Sequence, residues 1–132
     1  MTALLDPKLR IVIGENHADL AISLSMLLDL QQDMQCVGTG ASTTEVQRLA
    51  QELDPDAFVL DLSLDDGSSV PLIRSLRSER PFSALIAYTG HSDPVLTAQC
   101  TEAGCDAVVT KAGPVDDLIN AIRNSAHARR PA

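Results

Sequence analysis

The chain has 132 residues, which suits one domain and hardly two. Hydrophobic residues make up 45% and charged residues 21%, enough apolar side chain to build a core and exclude disorder for most of the length. Ten Lys+Arg against 18 Asp+Glu leave a formal charge of −8, the wrong sign for a surface that grips nucleic acid through many phosphates. Aromatic residues are 2%, with no Trp, so a platform for stacked bases is excluded too.

Three cysteines, Cys36, Cys100 and Cys105, cannot all pair, and no C-x-x-C occurs. The pattern is that of buried thiols in a reducing cytosol, not of a disulfide scaffold or a zinc site. The N-terminus lacks the basic and apolar regions of a signal peptide. No apolar run reaches the roughly 20 residues that span a bilayer. The expectation is a soluble cytoplasmic protein without membrane contact.

In chain order, residues 1–8 read as an extension. Leu9 to Gly14 reads as a first strand, and His17 to Leu30 as a helix with Leu20, Leu24, Leu27 and Leu28 at helical spacing. Met34 to Gly38 is a second strand. Ser42 and Glu45 match a capping box, so a helix should start there and bury Val46, Leu49 and Leu53. Ala57 to Asp61 is a third strand, apolar until its last residue.

Leu62 to Ser68 is a loop with Asp65, Asp66 and Gly67 as its turn signal. Val70 to Ser78 is a short helix that tolerates Pro71 in its first turn. Ala84 to Tyr88 is a fourth strand. Ser92 is placed as the cap of the next helix, which has Pro94 in its first turn and ends near Gly104. Ala107 to Thr110 is the fifth strand. A last helix from Pro114 to about Asn124 buries Val115, Leu118, Ile119 and Ile122, and residues 125–132 are a frayed tail, leaving 9–124 as the domain.

Five apolar strands alternating with five helices imply βαβ units and a parallel sheet covered on both faces. In such folds ligands bind beyond the carboxyl ends of the strands. Those ends carry Glu15 and Asn16, then Asp61, Thr89 and Lys111. Lys111 is one of only two lysines, with Lys8. Carboxylates, an amide, a hydroxyl and an ammonium can together hold a hard divalent cation and a phosphoryl group. A carboxylate such as Asp61 can itself be the nucleophile.

From Leu9 to Arg123 the chain resembles the receiver domain of two-component response regulators. The matching segments are Pro55–Gly67 around Asp61, Tyr88–Gly90 around Thr89, and Ala103–Lys111. Lys111–Arg123 is similar to receivers that precede LuxR-type DNA-binding domains. The resemblance implies a flavodoxin-like three-layer αβα sandwich, with a five-stranded parallel sheet in the order 2-1-3-4-5 and five helices. It implies Asp61 as phosphoacceptor, and Thr89 and Lys111 as contacts of the phosphoryl group. Mg²⁺ would be held by Glu15, Asn16, Asp61 and the backbone carbonyl of Ser63.

The resemblance also implies a signalling domain of a phosphorelay rather than an enzyme, with at most slow autodephosphorylation. Its partners would be a sensor histidine kinase or phosphotransfer protein, and a downstream protein or fused output domain on the face from 92 to 122. A homodimer on that face is left open. His91 falls where such families tune phosphate lifetime.

Three positions depart from the pattern. Asn16 stands where a second acid is usual, which predicts weakened Mg²⁺ binding and slower phosphorylation, with Asp65 or Asp66 as partial compensation or a plain solvated turn. Val108 replaces the usual switch aromatic, so hydroxyl–aromatic coupling cannot run in its familiar form. Ala112 replaces a common proline. Asn16 and Val108 motivate the alternative, a degenerate pseudo-receiver acting as a phosphorylation-independent interaction module. Gly38 to Thr43 is a weak dinucleotide-like segment lacking its third glycine. His17, His91 and His127 do not form a metal-ligand spacing.

Overall fold

The computed structural model describes residues 7–90 and 93–131. Along the chain, β1 (Leu9–Gly14), α1 (Ala18–Asp29), β2 (Met34–Gly40), α2 (Thr43–Leu53) and β3 (Ala57–Leu60) come first. A small hairpin of β4 (Ser63–Leu64) and β5 (Gly67–Ser68) follows. Then come α3 (Val70–Glu79), β6 (Ala84–Thr89), α4 (Pro94–Ala103), β7 (Ala107–Thr110) and α5 (Val115–Arg129).

The main sheet is parallel throughout, in the order β2-β1-β3-β6-β7. Counting only its five strands along the chain, this is the 2-1-3-4-5 order. Alternation along the strands feeds two cores. Ile11, Ile13, Ala57, Val59 and Ile86 pack with Leu24 and Leu28 of α1 and Leu118 and Ile122 of α5. Val12, Phe58, Leu60 and Leu85 pack with Val46 of α2, Leu72, Ile73 and Leu76 of α3, and Cys100 of α4. The molecule is therefore an αβα sandwich of the flavodoxin-like kind. Phe58 is fully buried, and removing a side chain of that size from water stabilises the fold by about 1.5–3 kcal/mol.

Local chemistry explains the element ends. Ser42 Oγ accepts from the N–H of Glu45 at 3.1 Å, while Glu45 Oε2 accepts from the N–H of Ala41 at 2.8 Å. The capping box thus closes one residue earlier than its usual reciprocal bond. Asp54 ends α2 in a left-handed conformation, φ 50°, a region that Asp tolerates better than most residues, and pairs with Arg80. Gly104 ends α4 at φ +120°, where an added Cβ would stand 2.6 Å from Arg77 Cγ.

Three sequence expectations are corrected. The segment 62–68 is not a plain loop: β4 and β5 pair antiparallel, with Asp65 and Asp66 at the tip. The cap of α4 is Asp93, whose carboxylate accepts from the N–H groups of Val95 and Leu96; Ser92 and His91 lie outside the described residues. The last helix runs to Arg129 rather than Asn124, because Arg129 is anchored to Asp106 at 2.7 Å. Asp106 also takes Arg77 of α3 at 2.8 Å, so one carboxylate ties α3, α5 and the start of β7 together.

Candidate functional site

Register brings the strand ends level. Gly14 of β1 pairs with Leu60 of β3, and Leu60 with Ala87 of β6. Thr89 pairs with Thr110 of β7. The residues just beyond, Glu15, Asp61 and Lys111, therefore emerge side by side. The backbone fixes them: Asp61 N–H donates to Gly14 O at 2.8 Å and Lys111 N–H to Thr89 O at 2.7 Å. An added Cβ on Gly14 would stand 2.9 Å from Leu60 Cδ2, so glycine lets Leu60 close over the strand end.

The ammonium of Lys111 bridges two carboxylates, 2.7 Å from Glu15 Oε1 and 2.9 Å from Asp61 Oδ2. Glu15 is buried, its side chain 2% exposed. Its other oxygen, Oε2, accepts from the backbone N–H of His17 at 3.1 Å and lies 3.0 Å from His17 Nδ1. Burial pushes the Glu15 carboxyl up, but the bonds from Lys111 and His17 outweigh it and hold the group below its ordinary value. Burial pulls Lys111 down, and its bonds to Glu15 and Asp61 more than offset that, keeping it above its ordinary value. Both groups are thereby kept charged at neutral pH.

Asn16, Asp61, Ser63, Thr89 and Lys111 line one cleft of about 300 Å³, together with His17, Leu62, Gly90 and Leu96. Glu15 lies beneath it. Every residue picked from the strand ends is thus brought to one place. Asp61 Oδ1 accepts from the N–H of Ser63 at 3.2 Å, which holds the carboxylate toward the hairpin. Val108 packs half-buried against the core on the α4 face. No peptide bond is cis among the described residues, including the one before Ala112.

Asp66 does not reach the cleft. Its carboxylate accepts from Thr43 N–H and Thr43 Oγ1, both at 2.7 Å, and from Thr44 N–H at 3.3 Å. Those bonds, Thr43 Oγ1 foremost, pull its pKa down to about 2. The loop acid seals the start of α2 and compensates for nothing at the strand ends. Two other contacts escape sequence reasoning. Tyr88 lies under the ammonium, with Lys111 Nζ 5.9 Å from its ring centroid. His17 joins Glu15 and Asp61 in a set whose ligand-capable atoms all lie within 4.8 Å of one another.

The donors fit a hard divalent cation. Glu15, Asp61 and Asn16 offer side-chain oxygens. Asn16 Oδ1 is shielded from solvent and lacks a hydrogen-bond partner among the described residues, although buried acceptors are almost always paired. A shielded acceptor on a residue that lines the same cleft as Asp61 is suited to holding a cation.

A doubly wound αβα domain thus brings two acids and a lysine together at the carboxyl edge of its sheet. Residues 11–123 match the response regulator receiver domain, and the chain belongs to that family. It is 32% identical over 116 residues to the oxygen regulatory protein NreC of Staphylococcus epidermidis, covering 87% of this chain and 53% of that protein. It is 26% identical over 117 residues to the response regulator protein VraR of Staphylococcus aureus, covering 89% and 56%. The chain thus spans about half the length of these curated relatives.

Among solved structures, a LuxR-family two-component response regulator from Aurantimonas sp. SI85-9A1 superposes with a TM-score of 0.87 at 25% identity, over 93% of this chain and 88% of that one. The receiver domain of the NarL regulator of Mycobacterium tuberculosis gives 0.86 at 19% identity, over 92% and 98%, and shows the shared fold. No helix among the described residues is long and apolar enough to cross a membrane.

Proposed function

We propose that Asp61 is a phosphoacceptor, taking a phosphoryl group from a phosphohistidine of a sensor kinase or phosphotransfer protein in the cytoplasm. The observation that carries this is the Lys111 ammonium set between Asp61 and Glu15 at 2.9 and 2.7 Å. One Asp61 oxygen attacks phosphorus, the P–N bond breaks, and the donor's imidazole leaves. Lys111 would contact an oxygen of the incoming group, and Thr89, which lines the same cleft, would donate to another. When bound, Mg²⁺ supplies positive charge that offsets the negative charge gathering on the transferred oxygens. Glu15, Asn16, Asp61 and the Ser63 carbonyl would hold it.

Output follows from differential affinity: the phosphoryl group favours whichever arrangement of Thr89 and Lys111 grips it better. Both residues border the α4–β7–α5 face, where Val95 is 66% exposed. That face would meet a downstream protein, a fused output domain or a second copy. Val108 gives no ring to couple with Thr89, so the change passes through the Thr89 and Lys111 backbones, which are hydrogen-bonded to each other.

The test is intact mass after incubation with acetyl phosphate, with and without Mg²⁺, beside Asp61→Asn. A single Mg²⁺-dependent phosphoryl adduct is expected, absent in the variant; a stable acyl phosphate surviving in Asp61→Asn overturns the assignment. Asn16 favours one competing reading, a phosphorylation-independent interaction module. It predicts no detectable Mg²⁺ binding and unchanged partner affinity in Asp61→Asn.

A further inference from the structure

We propose that His17 is a direct metal ligand, and that with Asn16 beside it the cleft prefers a borderline divalent cation such as Zn²⁺ over Mg²⁺. The inference rests on reading the cleft as the cation site of a receiver, and it adds a nitrogen donor to a set built so far from oxygens alone.

Geometry comes first. His17 Nδ1 and Glu15 Oε2 are 3.0 Å apart. Two donors at that spacing subtend about 90° at an ion about 2.1 Å from each, an ordinary angle between neighbouring ligands. The ligand-capable atoms of Glu15, His17 and Asp61 all lie within 4.8 Å of one another. Opposite ligands of an ion with bonds of about 2.1 Å stand about 4.2 Å apart, so rotamer-scale motion closes the set. Asn16 Oδ1, buried and without a partner among the described residues, offers a fourth donor from the adjacent residue.

Among the described residues, the bond to Glu15 is what explains the place of the imidazole. His17 is the N-cap residue of α1, yet its side chain makes no capping hydrogen bond. It is 75% exposed, so burial does not hold it. Even so, its ring nitrogen turns back onto the buried Glu15 carboxylate. A cation seated between them would use the orientation already present.

Charge and donor type then decide the ion. Mg²⁺ depends on anionic oxygens and sheds its water reluctantly. Here the second acid is an uncharged Asn16, and the two remaining carboxylates share the Lys111 ammonium. That weakens the electrostatic pull on which a hard ion relies. A neutral imidazole contributes a bond that suits Zn²⁺ and its neighbours and does little for Mg²⁺.

The test uses the whole chain with its histidines ¹⁵N-labelled. There are three, and His17→Ser, which keeps a good helix cap, identifies the His17 ring signals by their loss. On adding Zn²⁺ the Nδ1 resonance of His17 should move; on adding Mg²⁺ alone it should not. Competition titrations should show His17→Ser losing Zn²⁺ affinity by about 10- to 100-fold, with Mg²⁺ affinity changed far less. An unmoved His17 resonance at saturating Zn²⁺, or an unchanged Zn²⁺-to-Mg²⁺ ratio in the variant, overturns the inference. An Asp61 phosphoryl adduct alongside an unmoved resonance rejects His17 as ligand and leaves the receiver reading standing. A shifted resonance with no adduct supports the ligand and rejects phosphoacceptance.

Discussion

Lys111→Met isolates the charge balance of the cleft. In the native protein Glu15 is 2% exposed and Asp61 13%, and both lean on one ammonium at 2.7 and 2.9 Å. Breaking a buried ion pair on one side costs about 3–5 kcal/mol. Lys111 is 20% exposed, so water moderates the loss, and about 2–3 kcal/mol is expected at pH 7. The pH dependence gives the sharper check. With Lys111 present, the Glu15 pKa is lowered from its ordinary 4.5, so its contribution to stability holds above that value and fades as pH falls through the lowered one. Without Lys111, burial acts on Glu15 with only His17 to oppose it, and the folded pKa rises. The variant should therefore recover relative stability as pH falls from 7 toward 4.5, where Glu15 takes up a proton. Urea unfolding of both proteins at the two pH values reads this directly. A deficit below about 0.5 kcal/mol at pH 7, the size of an exposed pair, or one that does not shrink at pH 4.5, would refute the argument.

Asn16→Asp adds a charge beside the proposed cation site. A unit charge at about 4 Å is worth up to about 4 kcal/mol at an effective dielectric near 20, and Lys111 offsets part of it, so Mg²⁺ affinity should rise about tenfold or more by calorimetry; no rise would remove Asn16 from the ligand set. Asp66→Ala should lower the melting temperature by unsealing α2 while leaving Mg²⁺ affinity unaltered; a fall in affinity would put Asp66 at the cleft after all. Gly104→Ala combines φ +120° with a Cβ 2.6 Å from Arg77 Cγ, and should cost about 2–3 kcal/mol in urea unfolding; a neutral result would show that this turn relaxes freely. Burial pushes the Cys105 thiol up to about 11, so alkylation at pH 8 should reach half-buried Cys36 well before Cys105, as peptide mapping will show.

The fold was legible because its strands are short, continuous apolar runs and its helices carry helical spacing. Both signals are local. Ser42 and Glu45 announced α2 three residues apart, and Gly104 announced the end of α4. What stayed hidden depends on contacts distant in sequence. Strands of two residues, β4 and β5, are too short to show alternation. The last turns of α5 persist through Arg129 and Asp106, 23 residues apart. Asp66 and Thr43 are likewise 23 apart. In the cleft, residue types after each strand pointed to Asp61, Thr89 and Lys111, since parallel strands must deliver their ends to one edge. The inward turn of the His17 ring and the placement of Tyr88 under Lys111 have no such rule behind them.

On the proposed reading of Asp61 as phosphoacceptor, the Lys111 bridge also sets what must come before the reaction. One ammonium satisfies both Glu15 and Asp61, so neither a cation nor a phosphoryl donor meets free carboxylates; each must draw Lys111 off its partners. With two acids after β1, an incoming cation would meet one charge that the lysine does not hold. Here the neighbour is Asn16, neutral and with no partner for Oδ1 among the described residues, so the cation alone has less leverage against the ammonium. A phosphoryl group arriving with it changes that balance, because its own oxygens replace the carboxylates as partners for Lys111. Cation and phosphoryl binding should then be strongly cooperative, and the reciprocity of linkage requires each to tighten the other by the same factor. A stable phosphoryl mimic such as beryllofluoride should tighten Mg²⁺ binding in the native protein by more than it does in Asn16→Asp, where the cation already has a charge of its own to hold. Equal tightening in the two proteins would show that the lysine bridge does not couple the two events.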